Sequence, residues 1–284
     1  VFNRKAGYED LPVTLPCGRC VGCRIRKSRE WAVRCHHEAS LHEQNSFVTL
    51  TYDDEHLPDD PDLGQPPGGT LVCRDLTLFL KRLQKRFGAG IRHYGCGEYG
   101  EKLGRPHYHL CIFNFSPPDL VLFKVREHLR LYTSETLDGL WGMGFTLTGD
   151  VTFQSAAYVA RYVMKKINGP QSTSHYETVD QATGEITHKL PEFPAMSRDG
   201  IGKNFYEQYK SDIFPHDFVV IKGKKFPVPK YYDRQYEITD ANDFARLRAR
   251  RVRNAKLKSD NNTTARLRVR ESVLLSKLDR LTRT

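Results

Sequence analysis

The sequence predicts a chain in which helices and strands are mixed around an antiparallel hairpin. Three observations predict it. The β-branched and aromatic run Phe47-Val48-Thr49-Leu50-Thr51-Tyr52 has the composition of a strand. Leu76, Phe79, Leu80 and Leu83 recur at helical spacing and mark one apolar helix face. Residues 91–99 and 105–113 read as two strands, and the short, glycine-flanked connection 100–104 between them predicts a hairpin.

Taken in order, residues 1–24 read as loop around the cluster Pro16-Cys17-Gly18-Arg19-Cys20-Val21-Gly22-Cys23. Ile25, Trp31, Cys35 and Ala39, with basic residues between them, predict a helix over 25–42. The strand 47–52 is followed by an acidic, Pro- and Gly-rich loop over 53–69. Asp75 is the expected N-cap of a helix that runs to Phe87, with Lys81, Arg82, Lys85 and Arg86 on its basic face and Gly88-Ala89-Gly90 ending it. Beyond the hairpin, 121–132 is predicted as helix and 145–153 as a strand that can break at Gly149. Residues 155–167 read as a helix ended by Asn168-Gly169-Pro170, and 169–194 as a polar loop. No internal repeat is visible. Residues 241–284 hold 13 Lys/Arg and 4 Asp/Glu, a net of +9 out of the whole chain's +10. Leu267, Leu274, Leu278 and Leu281 give this tail a helical apolar stripe.

At 284 residues and 39% hydrophobic, the chain is long enough for one large domain, or one domain with appendages, around a sizeable core. No apolar run approaches the ~20 residues that span a bilayer, and no secretory signal opens the chain, so no membrane partner is expected. The first residue is Val1, so the natural N-terminus is expected to be missing or processed. The positive charge favours a polyanionic partner, although a basic ribosomal or membrane-surface protein fits the charge equally well. Seven cysteines, an odd number with four crowded near the N-terminal end, do not form a secreted disulfide pattern and point to a reducing cytoplasm.

Three groups of residues carry chemistry. His107 and His109 lie at i and i+2 on a predicted strand and share a face. If the hairpin turn centres on residues 102–103, Glu98 faces His107 across the ladder. One carboxylate and two imidazoles then suit Mg²⁺ or Mn²⁺ with room for a phosphate oxygen. A register slip of one residue would send Glu98 to the other face. Tyr158 and Tyr162, at i and i+4 on a helix, are candidate phenolic nucleophiles, with Lys165 and Lys166 about one turn on. Ionising a tyrosine at neutral pH costs about 4 kcal/mol from its ordinary value of about 10, a cost that a nearby lysine, Lys165 first, reduces. The same two tyrosines could instead be ordinary core residues. Cys17, Cys20 and Cys23 have spacing suited to zinc, with Cys35, His36, His37 or a residue upstream of Val1 as the fourth ligand. Lys166 and the tail residues Arg248, Arg250, Arg251 and Arg253 are the expected DNA-phosphate contacts.

The motifs together resemble a known family. Cys17–Arg24, Phe47–Tyr52, Gly97–Glu101, Gly104–His109, Tyr158–Lys166 and Met196–Gly202 look, in order and spacing, like the replication initiators of small circular single-stranded DNA phages. The resemblance is greatest to the gokushovirus branch of the Microviridae, within the HUH endonucleases, and it covers about residues 17–202. Asp199-Gly200 departs from the Pro-Gly more usual there. The resemblance implies an α+β fold: a central antiparallel sheet with packed helices, preceded by the Cys-rich segment and followed by the basic helical tail. The implied division is 1–45, an endonuclease domain over 46–218, and an extension over 219–284. It further implies metal-dependent nicking of origin DNA, a tyrosine joined to the 5′ end, and a free 3′-OH that primes the host polymerase. The second tyrosine would cut after one round so that the displaced circle can be joined. A host replication helicase is the other expected partner, in the cytoplasm of the bacterial host. The competing readings are a non-catalytic, zinc-stabilised nucleic-acid-binding protein, and a transposase or relaxase of the same superfamily.

Overall fold

The computed structural model describes residues 16–18, 20–58, 68–100, 103–126, 129–162, 171–179 and 184–281. The elements of the first half are α1 (Val21–Ala39), β1 (Asn45–Tyr52), α2 (Cys73–Phe87), β2 (Arg92–Tyr99), β3 (Pro106–Phe113), β4 (Val121–Arg126), β5 (Leu129–Thr133), α3 (Glu135–Trp141), β6 (Gly144–Gly149) and α4 (Phe153–Tyr162). Then come α5 (Gln171–Tyr176), β7 (Glu177–Val179), β8 (Ile186–His188), β9 (Phe193–Met196), α6 (Lys203–His216), β10 (Val219–Ile221), β11 (Lys224–Phe226), α7 (Lys230–Thr239), α8 (Ala241–Lys256) and α9 (Thr264–Leu281). The fold is α+β. Seven strands form one sheet in the order β4-β5-β6-β1-β3-β2-β9, each neighbouring pair antiparallel.

Strand alternation sorts this sheet into two buried faces. Val48, Leu50, Tyr52, Tyr108, Leu110 and Ile112 meet Leu76, Phe79 and Leu83 of α2 and Leu137 and Trp141 of α3. On the opposite face Tyr94, Cys96, Cys111 and Phe113 meet Ala32 and Cys35 of α1 and Ala156, Val159 and Ala160 of α4. The small residues let α1 and α4 lie close, and Ser28 Oγ donates to the Ala157 carbonyl at 3.2 Å. A third cluster gathers Tyr206, Ile213 and Phe214 of α6, Tyr232 of α7 and Phe244 and Leu247 of α8 around Val33.

The Gly200-Ile201-Gly202 segment is a structural hub. Gly200 and Gly202 both have positive φ, and a Cβ on either would meet the ring of Tyr231 or Tyr232 at 2.2 to 2.5 Å, so only glycine fits. The buried Glu38 carboxylate accepts from the Gly202 N–H at 2.5 Å and from Arg92 Nε at 2.5 Å, and Arg92 Nη2 donates to the Gly200 carbonyl at 3.0 Å. Glu38→Ala would leave a guanidinium and a buried N–H without their acceptor. It is expected to cost about 3–5 kcal/mol of stability, read as a lower urea midpoint at unchanged slope.

Several sequence expectations change. Residues 121–132 form β4 and β5, not a helix. Val121 and Val125 match helical spacing, but Val121, Phe123 and Val125 also match strand spacing, and the edge beside β6 supplies the partner, with Tyr132 opposite Thr148. Within 169–194, expected as loop, lie α5, β7, β8 and the start of β9. Pro194 disguises β9, where it is tolerated because β9 is the last strand of the sheet. Asp75 does not cap α2, whose N-cap is Val72; its carboxylate accepts from the Tyr52 hydroxyl at 2.7 Å. Helix α4 begins at Phe153, because β6 stops at Gly149.

Candidate metal and nucleophile centre

The hairpin supplies the centre. The β2–β3 register sets Glu98 opposite His107 and Cys96 opposite His109, so Glu98, His107 and His109 share the face on which α1 and α4 pack. One ligand-type atom from each of the three lies within 4.8 Å of the others. Glu98 is 3% and His109 6% exposed. His109 Nε2 is 2.7 Å from Glu98 Oε1, and its Nδ1 is 3.0 Å from Thr49 Oγ1 on β1. A hydroxyl can donate or accept, so Thr49 allows His109 to present either a proton or a lone pair toward Glu98. Burial, then the neighbouring His109 imidazole, hold His107 below the ordinary histidine value, which leaves it neutral at pH 7. Its buried Nδ1 has no hydrogen-bond partner. A neutral, desolvated imidazole with a spare nitrogen, beside a carboxylate and a second imidazole, fits a divalent cation.

Tyr158 comes to this centre from α4. Its ring stands edge-on to His109 with centroids 5.2 Å apart, and Phe47 stacks on His109 at 5.9 Å. Arg161, exposed one turn along α4, sets its guanidinium 5.9 Å from the Tyr158 ring centre. Tyr162 ends α4 and is described by its backbone alone, while Lys165 and Lys166 lie outside the described residues.

Sequence reasoning misses three contributors. Thr49 and Phe47 read only as strand formers, and Glu192 only as loop. The ladder β2–β9 ends with Gly97 opposite Phe193, so the next step sets Glu192 beside Glu98. Glu192 is buried and accepts a hydrogen bond from the buried Tyr176 hydroxyl.

Cys17, Cys20 and Cys23 form a second convergent group, at the start of α1. Two of the expected fourth ligands are engaged elsewhere. Cys35 is fully buried against Cys111, and His37 stacks on Phe205 at 3.8 Å and bonds Tyr232 Oη through Nδ1 at 3.0 Å. His36 does not join the three thiols either among the described residues.

The tail arginines divide. Arg248 and Arg253 are exposed. Arg251 is not a free phosphate contact, since its guanidinium joins Asp217 and Asp233 in a network that ties α8 to α7 and the end of α6. Arg250 turns Nη2 to the carbonyls of Phe214 and Pro215 at 3.3 and 3.4 Å. Deleting 241–284 removes Phe244, Leu247 and Arg251 from the third cluster and is expected to lower the melting temperature. Deleting 263–284 spares them and takes away a net charge of +4. That shorter cut should flatten the salt dependence of single-strand binding, by about 0.7 in log–log slope per lost phosphate contact. An unchanged slope would assign the tail to packing alone.

Among the described residues, no helix is long and apolar enough to cross a membrane. The family model for the ORF2-type replication-associated protein matches residues 45–167, the span that holds the centre. The chain is 35% identical over 246 residues to replication-associated protein VP4 of Bdellovibrio phage phiMH2K, covering 83% of this chain and 71% of that one. It is 38% identical over 234 residues to replication-associated protein ORF2 of Spiroplasma virus 4, covering 79% and 68%. Against replication-associated protein ORF4 of Chlamydia phage 1 it is 29% identical over 236 residues, covering 77% and 52%. No solved structure matches the chain.

Proposed function

The chain belongs to the replication-associated protein family of Microviridae-like phages, and from that premise we propose that it initiates rolling-circle replication by nicking and rejoining single-stranded DNA at the phage origin, as an HUH endonuclease. The observation that carries this reading is the Tyr158 ring standing 5.2 Å from His109, beside Glu98 and His107.

Glu98, His107 and His109 would hold Mg²⁺ or Mn²⁺, and bound there the ion supplies positive charge that polarises the scissile phosphate and offsets transition-state charge. Tyr158 is the nucleophile that faces this centre. Its phenolic oxygen bonds to phosphorus while the bond from phosphorus to the 3′ oxygen breaks. The phenol gives up its proton and the departing 3′ oxygen takes one up. The 5′ end is left as a phosphotyrosine and the 3′-OH is free for the host polymerase. One phosphodiester has replaced another, so a returning 3′-OH reverses the step and joins the strand. Arg161 and Lys165 favour the phenolate by their charge, and Tyr162 serves the second cut. Lys166, Arg248 and Arg253 contact the DNA backbone. The host helicase opens the duplex ahead of the polymerase, in the host cytoplasm.

The test is a labelled single strand carrying the phage's own origin, incubated with the protein and Mg²⁺ or Mn²⁺ and run on a denaturing gel. A metal-dependent covalent adduct is expected. Folded protein that binds the strand but forms no adduct would favour the non-catalytic binding reading.

A further inference from the structure

We infer that Cys17, Cys20 and Cys23 form a structural zinc site that pins the start of α1. Their sulfur atoms lie within 4.8 Å of one another, with Cys17 Sγ and Cys23 Sγ 4.0 Å apart. The chain reaches this geometry through a turn at Gly18, whose φ is +74°. The Cys20 N–H donates to Cys17 Sγ at 3.3 Å, and the Cys23 N–H donates to the Cys20 thiol. Backbone N–H groups aimed at sulfur favour the thiolate, the form that ligates metal. Three thiolates held this close repel one another, and a divalent cation removes that repulsion.

On binding, each thiol releases its proton to solvent, three sulfur–zinc bonds form, and no electron is transferred. A structural zinc takes four donors. The fourth is water or a donor beyond the described residues.

The site has a mechanical consequence. Cys20 is the N-cap of α1 and offers its first turn no side-chain hydrogen bond. The metal loop therefore anchors that end. Helix α1 in turn supports α4, the helix of Tyr158, through the Ser28–Ala157 bond and the Ala32–Ala156–Ala160 packing. Cys20, Val21 and Gly22 also form one wall of a cavity of about 580 Å³, with Leu267, Arg270 and Leu274 of α9 on another. Stripping the metal should loosen both neighbours of the loop.

The experiment is metal analysis of the full chain with a parallel assay for inorganic sulfide. About one zinc per chain is expected, retained in His109→Ala and lost in Cys20→Ser. Titrating the wild-type thiols with an organomercurial should release that zinc in proportion, which decides the matter even if Cys20→Ser fails to fold. Co²⁺ exchanged into the site should give thiolate charge-transfer absorption in the near ultraviolet. Iron with sulfide in place of zinc would overturn the proposal, since three cysteines so spaced also suit an iron–sulfur cluster. So would zinc that follows His109 and ignores Cys20, or wild-type protein that neither carries nor takes up zinc or Co²⁺. The nicking assay is not used, so this inference and the proposed function fail separately.

Discussion

His109→Ala is expected to abolish adduct formation while leaving strand binding close to wild type. The imidazole makes four contacts at once: Glu98 through Nε2, Thr49 through Nδ1, and the rings of Phe47 and Tyr158. Removing it takes away one of three candidate ligands and also the surface against which Tyr158 rests. Loss of a group that merely supports a metal ligand costs about 10–100-fold. Loss of a ligand that also positions the nucleophile should exceed that, so the nicking rate should fall by more than about a hundredfold. The Mn²⁺ affinity of the DNA-free protein should fall with it, which separates a lost metal site from a merely misplaced tyrosine. Nicking at a wild-type rate in the variant would remove Glu98, His107 and His109 from the mechanism.

The double variant Tyr158→Phe, Tyr162→Phe is expected to form no covalent adduct at any metal concentration. Phenylalanine keeps the ring, and so the edge contact with His109, but has no oxygen to bond phosphorus. Stability should change little, because Tyr158 is only half-buried. Each single variant keeps one phenol and can still cut once. The useful contrast is therefore between single and double variants, with wild-type Mn²⁺ affinity retained in all three. Peptide mapping of the wild-type adduct provides the second check. DNA attached to Tyr176, whose hydroxyl is held by the buried Glu192, would move the chemistry to a different tyrosine and refute the assignment.

The sequence by itself determined what depends on short-range geometry. Strand side chains alternate, so His107 and His109 had to share a face. The connection between the hairpin strands is short, which brought Glu98 opposite His107 in the expected register. Three cysteines within seven residues could hardly avoid converging, and they do. The α+β class followed in the same way from patterns a few residues long.

Only the tertiary structure decided what depends on partners distant in sequence. Val121 to Arg126 satisfies helical and strand periods alike, and the free edge beside β6 selected the strand. Pro194 reads as a strand breaker, yet β9 forms at the edge of the sheet and carries Glu192 to Glu98. Arg248 and Arg251 are indistinguishable by composition. One side chain faces solvent and the other meets Asp217 and Asp233, because α8 packs with Phe244 and Leu247 inward and a helix has two sides. The approach of Tyr158 to His109 belongs to this second class. It exists because small residues on α4 and α1 let both helices lie flat on the hairpin face, a packing that no local pattern encodes.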